Sequence, residues 1–368
     1  MLYESKFTKK EVKHYIRQMI VPELRVEGQE KLMKSKVFVV GLGGLGCPLV
    51  MYLAACGIGT IGIVDYDEIE LSNLHRQILF DEESVGRLKS TVVKEKLQKL
   101  NSLVKIVEHG TIFGETETIL MKDYDIIIDC CDNIKTRYLI NDYSRIYKKD
   151  TILGSSIRWE GQVYKLPIGG SCFRCIFPEE KVSNSTCDEL GVIGPICGTI
   201  GTFLATEVIK LILGNRDTYM ITYNGYDNNY KKINLRKRGE CEICMNKKLI
   251  KHTKTSTVPP QRVVVDGKYK ITWEQYIKNK KEYKLYDLRD QTLFDVSRIK
   301  DSINLPAKDF KTRKDEVIKS KRKPVFLCPR GVRAQKYAQE IINEGKDCYV
   351  LEGGLKSFKK TIDGSFPI

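Results

Sequence analysis

KVFVVGLGGLG, residues 36–46, decides how this chain is read. KVFVV is a short β-branched strand, and the glycines behind it turn the backbone sharply. CPLVMYLAACG (47–57) then carries helical periodicity, and TIGIVDYD (60–67) is a second strand ending in acids. Further on, YDIIIDCCDN (124–133) and DTILGSSI (150–157) are strands of the same kind. Strands alternating with helices predict a doubly wound α/β fold with a parallel sheet, whose ligands bind beyond the carboxyl ends of its strands.

Gly41, Gly43 and Gly46 complete G-x-G-x-x-G between strand and helix. There, backbone N–H groups and the positive helix end receive phosphate oxygens. Asp65 and Asp67 close the next strand, where a carboxylate accepts a ribose hydroxyl. A nicotinamide dehydrogenase satisfies that much. LSNLHRQ (71–77) shifts the balance, because it adds Asn73, Arg76 and Gln77, with Lys89 following in GRLKSTVVKEKLQKL (86–100). Hydride transfer has no evident use for these amides and cations, whereas an ATP whose phosphorus is under attack needs them. Asp132 stands at the end of IIIDCCDN on the ligand edge and suits Mg²⁺.

The chain has 368 residues, 42% hydrophobic and 30% charged, which suits a folded protein of two domains. No uninterrupted apolar run reaches the ~20 residues of a membrane span, and the N-terminus lacks a signal-peptide stretch, so a soluble cytoplasmic protein without membrane association is expected. MNKKLIKHTKTSTVPPQR (245–262) is polar, basic and ends its low-complexity run in Pro-Pro. The expected domains are therefore 1–246 and 263–368, joined by a basic linker at 247–262. Net charge is +15, and the last domain carries 24 Lys/Arg against 15 Asp/Glu. Basicity confined to one end does not describe a duplex binder: it reads as a solvated surface or, more sharply, as suited to an acidic protein or RNA partner, with direct tRNA binding not expected.

Twelve cysteines without a secretory signal point to metal or catalytic thiols. Cys172 and Cys175 form one C-x-x-C pair in SCFRC, and Cys241 and Cys244 another in ECEIC. Two such knuckles supply four thiolates to a tetrahedral, structural Zn²⁺; the competing reading is a redox pair. Cys187 lies in a Ser/Asn-rich loop, open to reaction, whereas Cys197, directly before the apolar helical run expected from Gly198 onward, reads as core packing. In LCPRGVRAQKYAQEI (327–341), Cys328 follows a strand and precedes a tight loop and a helix. Arg330, Gly331 and Arg333 then aim guanidinium charge, backbone N–H groups and a helix N-terminus at one sulfur. Four residues separate Cys328 from Arg333. That ring is smaller than a phosphatase loop and suits a persulfide.

GLGGLG, DYDEIELSNLHRQ, the Lys89 helix, DCCDN and WEGQVYKLP resemble the adenylating domain of ubiquitin-activating enzymes, in particular the molybdopterin-synthase and thiamine-biosynthesis adenylyltransferases. The resemblance runs from about Tyr15 to Met245. It implies a Rossmann-like domain in which Gly41, Gly43, Gly44, Gly46, Asp65, Asp67, Asn73, Arg76, Gln77, Lys89, Asp132 and Asn133 bind ATP and Mg²⁺. It also implies a homodimer in which Arg17 reaches the neighbouring protomer's nucleotide, and it agrees with Zn²⁺ on the four cysteines. LYDLRD, with Asp287 and Arg289, DSINLPAKDF and VLEGGLKSF resemble a rhodanese domain over 263–368. Together these are similar to the eukaryotic-type adenylyltransferase/sulfurtransferases. That family implies adenylation of the C-terminal glycine of a ubiquitin-like sulfur-carrier protein, then sulfur transfer from a Cys328 persulfide loaded by a cysteine desulfurase or other donor. Cys187 would hold or resolve the intermediate. The thiocarboxylate product would serve tRNA wobble-uridine 2-thiolation, protein conjugation or molybdopterin synthesis. The inactive alternative is a rhodanese fold used only for docking.

Overall fold

The computed structural model describes residues 6–110, 112–178, 191–246 and 264–366. The chain folds as two compact units, Met1–Lys254 and Thr255–Ile368. In the first unit, α1 (Lys9–Met19) and α2 (Arg25–Lys34) precede β1 (Lys36–Val40), α3 (Gly46–Ala55) and β2 (Thr60–Val64). Next come α4 (Lys89–Leu100), β3 (Lys105–His109), β4 (Ile126–Asp129), α5 (Ile134–Ile146), β5 (Asp150–Ile157) and β6 (Glu160–Leu166). The single turn α6 (Phe173–Ile176), the long α7 (Gly194–Ile212), β7 (Tyr219–Asn224), β8 (Asn229–Asn234) and α8 (Glu242–Asn246) complete it.

The strands form one sheet in the order β3-β2-β1-β4-β5-β6-β7-β8. β3, β2, β1, β4 and β5 run parallel. Their near-continuous apolar sequences match burial on both faces: every residue of β4 is buried, and all of β1 after Lys36. β6, β7 and β8 add an antiparallel extension that the sequence pattern did not reveal. The reason lies in β8, NYKKIN, which is exposed along its whole length and so carries no core pattern.

α7 begins at Gly194 and not at Gly198, because Pro195 fits the first turn of a helix, where its missing N–H costs nothing. It is long and apolar enough to cross a membrane by length and composition. Here it is a core helix: Ile196, Ile200, Leu204, Val208 and Leu211 are buried against the sheet. Glu207 is also buried and accepts from the Tyr219 hydroxyl at 2.5 Å.

The second unit contains β9 (Lys270–Ile271), α9 (Trp273–Lys278), β10 (Tyr283–Asp287), α10 (Gln291–Val296), β11 (Ile303–Asn304), α11 (Phe310–Ile318), β12 (Lys323–Leu327), α12 (Val332–Asn343), β13 (Tyr349–Leu351) and α13 (Gly354–Thr361). Its sheet, β11-β10-β12-β13-β9, is wholly parallel. β10, β12 and β13 are the three strands legible in sequence; β9 and β11 have two residues each and leave no periodic trace. Cys348 is fully buried in the core with Phe310, Phe326 and Tyr286, as a packing thiol should be.

Candidate functional site

The glycine turn is forced by contact. Gly41 has φ +93°, and a Cβ there would sit 2.9 Å from the Cys130 carbonyl oxygen. A Cβ on Gly46 would lie 2.2 Å from the oxygen of Gly41, so the turn closes only without one. Asp65, at the end of β2, fastens the turn: Oδ2 accepts from the Leu42 N–H at 2.7 Å, and Oδ1 from the Asp67 N–H at 2.9 Å. Lone pairs remain on both oxygens for a ribose hydroxyl. Burial raises the Asp65 pKa, against the opposing pull of Lys89 and these N–H groups.

LSNLHRQ folds back over this turn. A Cβ on Gly43 would have Gln77 Nε2 as its neighbour at 3.7 Å, and one on Gly44 would meet Cys197 Sγ at 2.9 Å and Arg76 Cγ at 3.5 Å. Asn73 closes a 3-10 turn (Leu71–Asn73), its Oδ1 accepting from the Glu70 N–H, and its carbonyl accepts from the N–H groups of Arg76 and Gln77. Arg76 Nη1 donates to the Ser72 carbonyl at 3.1 Å and contacts His75 Nε2 at 2.7 Å. Gln77 is buried, yet its Oε1 has no hydrogen-bond partner. A buried amide oxygen without a partner beside a glycine turn calls for a hydrogen-bond donor, which the hydroxyl or amino groups of a nucleoside supply.

Lys89 is the first residue of α4 and is buried, with Nζ 2.9 Å from Asp67 Oδ2. Glu108 steadies that helix start, accepting from Ser90 Oγ at 2.9 Å and Thr91 Oγ1 at 2.7 Å. Asp132 and Asn133 are exposed beyond the end of β4, and Asn133 caps α5 through Oδ1, which accepts from the Lys135 N–H. An exposed carboxylate at this edge fits Mg²⁺, which takes one or two carboxylates and completes its shell with phosphate and water. Arg137 was not singled out by sequence, but it clamps the edge: it pairs with buried Asp129 and donates to the carbonyls of Cys131 and Gly154.

Cys197 is buried in the core cluster, with Ser156 Oγ 3.4 Å from its sulfur, and burial raises its pKa. It therefore packs, as expected. Cys187 lies outside the described residues. Arg17 is exposed on α1, remote in sequence from the glycine turn.

The two C-x-x-C knuckles meet. Cys172 Sγ lies 3.8 Å from Cys175 and 3.6 Å from Cys241, and Cys175 lies 3.7 Å from Cys244. All four sulfurs fall within 4.8 Å of one another. Zn–S bonds of about 2.3 Å in a tetrahedron place sulfurs about 3.8 Å apart, so the donor set fits Zn²⁺. These separations also exclude disulfides within the cluster. α5 carries this knuckle: Asp142 pairs with Arg174, Asn141 Oδ1 accepts from the Phe173 N–H, and Arg145 donates to the Ser171 carbonyl.

In the second unit, Cys328 follows β12 directly and is buried. The Ala334 N–H, in the first turn of α12, points at its sulfur at 3.4 Å. Gly331 caps that helix with φ +71°, which lets the loop curl around the thiol. Arg330 is exposed and Arg333 half-buried. The start of α13 braces the loop from behind: Leu355 N–H donates to the Cys328 carbonyl at 3.1 Å and Lys356 N–H to that of Pro329 at 2.9 Å. Trp273 Nε1 donates to the Gly354 carbonyl at 2.9 Å, a brace the sequence reading missed although a buried indole N–H requires an acceptor. Asp287 and Arg289 form a buried pair at 2.7 Å, and Arg289 also holds the Ser297 carbonyl.

Residues 15–243 match the ThiF family and residues 272–361 the rhodanese-like domain. The adenylyltransferase and sulfurtransferase MOCS3 of Aedes aegypti is 36% identical over 412 residues, spanning 99% of this chain and 90% of that protein. Its counterpart in Dictyostelium discoideum is 35% identical, spanning 97% of each. Among solved structures, E. coli MccB with ATP superposes with a TM-score of 0.52 at 25% identity, over 60% of this chain and 68% of MccB.

Proposed function

Because the chain belongs to the ThiF family, with a rhodanese-like domain behind it, and is an adenylyltransferase and sulfurtransferase, we propose that both activities act in turn on one acceptor, the C-terminal glycine of a ubiquitin-like sulfur-carrier protein. The observation that carries this reading is that one chain holds both a glycine turn faced by Arg76 and the unsatisfied Gln77 and a loop aiming an N–H group at the sulfur of Cys328. First, the glycine carboxylate attacks the α-phosphorus of ATP in line, and pyrophosphate leaves. Arg76, Lys89 and the turn's N–H groups position the phosphates and offset their charge, and Gln77 would donate to them through Nε2, which faces Gly43. Asp65 orients the ribose, and Asp132 would hold Mg²⁺, which supplies charge neutralisation.

Second, the outer sulfur of a Cys328 persulfide attacks the acyl carbon, and AMP leaves. A second thiol, assigned to Cys187, attacks the Cys328 sulfur and releases the thiocarboxylate; the resulting disulfide is reopened by a thiol reductant. The Ala334 N–H, in the first turn of α12, points at that sulfur, and Arg330 and Arg333 belong to the same loop and would steer the anionic tail of a donor or carrier. A cysteine desulfurase or other persulfide donor recharges it. The four-cysteine cluster would hold a structural Zn²⁺, and the setting is the cytoplasm. The product would serve tRNA thiolation, conjugation or molybdopterin synthesis.

Two surfaces support the partners. Trp159 and Tyr226 are exposed and meet edge to face at 5.6 Å, beside the start of α7, where an apolar patch of the carrier would sit. Ile16, Ile20, Val21 and Val26 expose apolar surface at the end of α1 and start of α2, flanking Arg17, which supports a homodimer. The test is mass spectrometry of a ubiquitin-like protein incubated with enzyme, ATP and a sulfur donor. A gain of about 16 Da, sulfur replacing oxygen, is expected. Cys328→Ala should abolish that gain while ATP–pyrophosphate exchange persists; an unchanged yield would leave the rhodanese domain as a docking module.

A further inference from the structure

The imidazole of LSNLHRQ has no part in the reaction described above. His75 lies between the two groups that face the glycine turn and the start of α7, and its carbonyl oxygen would be 2.3 Å from a Cβ on Gly194. That contact fixes the backbone at His75, and the imidazole itself is exposed. Its Nε2 is 2.7 Å from Arg76 Nη1. An arginine nitrogen only donates, so this contact is a hydrogen bond only when Nε2 carries no proton. The other Nη1 hydrogen is engaged by the Ser72 carbonyl at 3.1 Å. One edge of the guanidinium is thereby fixed by two acceptors, one permanent and one that titrates.

We propose that His75 is a positioning residue for Arg76, holding the guanidinium toward the nucleotide while neutral and releasing it when protonated, so that ATP binding weakens on acidification. This rests on the reading that Arg76 binds ATP phosphates. The charge surroundings agree. From its own segment, Arg76 faces the ring; from α7, Cys197 senses Arg76 but is kept neutral by burial; the glycine turn offers no ionisable side chain. Burial and then Arg76 lower the His75 pKa from its usual 6.5, and among the described residues no carboxylate opposes them. The neutral form therefore dominates at pH 7 and gives way only on acidification. Protonation sets two cations against each other and breaks the bond. The fraction of molecules with Arg76 in place then falls, and apparent ATP affinity falls with it.

The test measures KM for ATP in pyrophosphate exchange from pH 7.5 to 5.5 in the full-length wild type, His75→Gln, His75→Leu and Arg76→Gln. Glutamine keeps an acceptor that does not titrate, and leucine removes it. Titration of ATP itself is common to all and cancels in ratios to His75→Gln. The wild-type ratio should rise about threefold toward pH 5.5, with kcat at saturating ATP nearly unchanged. His75→Leu should be weakened about equally at every pH. A wild-type pH profile identical to that of His75→Gln, or a His75→Leu enzyme that keeps both affinity and pH dependence, overturns the proposal. Arg76→Gln with undiminished ATP affinity at pH 7.5 would instead overturn the phosphate role of Arg76.

Discussion

Two glycines three residues apart should fail in opposite ways. At Gly46 an added Cβ would lie 2.2 Å from the Gly41 carbonyl oxygen, about 1 Å inside ordinary contact, and the obstacle is backbone. Helix and turn must separate, at the about 1–3 kcal/mol typical of overpacking a fixed contact. For a unit of this size that lowers Tm by roughly 3–10 °C. At Gly43 the nearest atom to an added Cβ is Gln77 Nε2 at 3.7 Å, so Gly43→Ala should leave Tm within about 1 °C. Its methyl instead occupies the space through which phosphate approaches the backbone. Losing one N–H bond to a charged oxygen, worth about 1.5–3 kcal/mol, should weaken ATP roughly 10- to 100-fold. Thermal melting and ATP–pyrophosphate exchange on both variants make the comparison. A Gly43→Ala enzyme with wild-type KM for ATP would show that phosphates do not approach the turn there. A Gly46→Ala enzyme with wild-type Tm would refute the packing argument.

Lys89→Met should cut pyrophosphate exchange by about 100-fold with the fold retained, because it removes a buried cation from the phosphate side; activity within threefold of wild type would discard Lys89 as a ligand. Asp287→Asn strands the buried Arg289 and should cost the second unit about 3–5 kcal/mol. Sulfur transfer should fail while pyrophosphate exchange persists, and calorimetry showing an undisturbed second-unit transition would contradict the pairing. Trp273→Phe keeps most of the packing but deletes the N–H bond to Gly354, so persulfide formation at Cys328 should slow several-fold at nearly constant Tm; loading kinetics followed by alkylation and mass spectrometry decide it.

The parts of the site that sequence exposed are local. The glycine turn, the acids after β2 and the loop around Cys328 each depend on residues within a few positions, where residue type and spacing carry the geometry. The four-cysteine cluster was legible despite about 70 residues between its halves, because two incomplete ligand pairs need each other. What sequence hid depends on distant pairing. Gln77 reads as one more polar residue until the fold buries it, and the His75–Arg76 contact is a side-chain arrangement that no spacing announces. Trp273 meets Gly354 across 81 residues. The antiparallel extension hid because β8 is exposed throughout, so its strand state is set by pairing with β7 and not by burial.

α5 ties the nucleotide edge to the cysteine cluster, and its bonds say how far the loss of metal should spread. Its C-terminal half carries the knuckle through Asp142–Arg174, Asn141 and Arg145, all buried. Its N-terminal half is anchored separately, through Arg137 to Asp129 and to the carbonyls of Cys131 and Gly154. Removing Zn²⁺ should therefore free the knuckle while Asp132 and Asn133 stay in place. One metal per chain is expected by elemental analysis. Chelation, or Cys241→Ser, should lower Tm by roughly 5–10 °C, about 2–3 kcal/mol, because four thiols that the ion held together now repel or compete for protons. Below that transition, KM for ATP should stay within about twofold, since the anchors of the N-terminal half contain no sulfur ligand. A chelated enzyme that is still folded by circular dichroism but has lost ATP affinity would mean that Arg137 does not isolate the edge, and that the metal helps to shape the adenylation site.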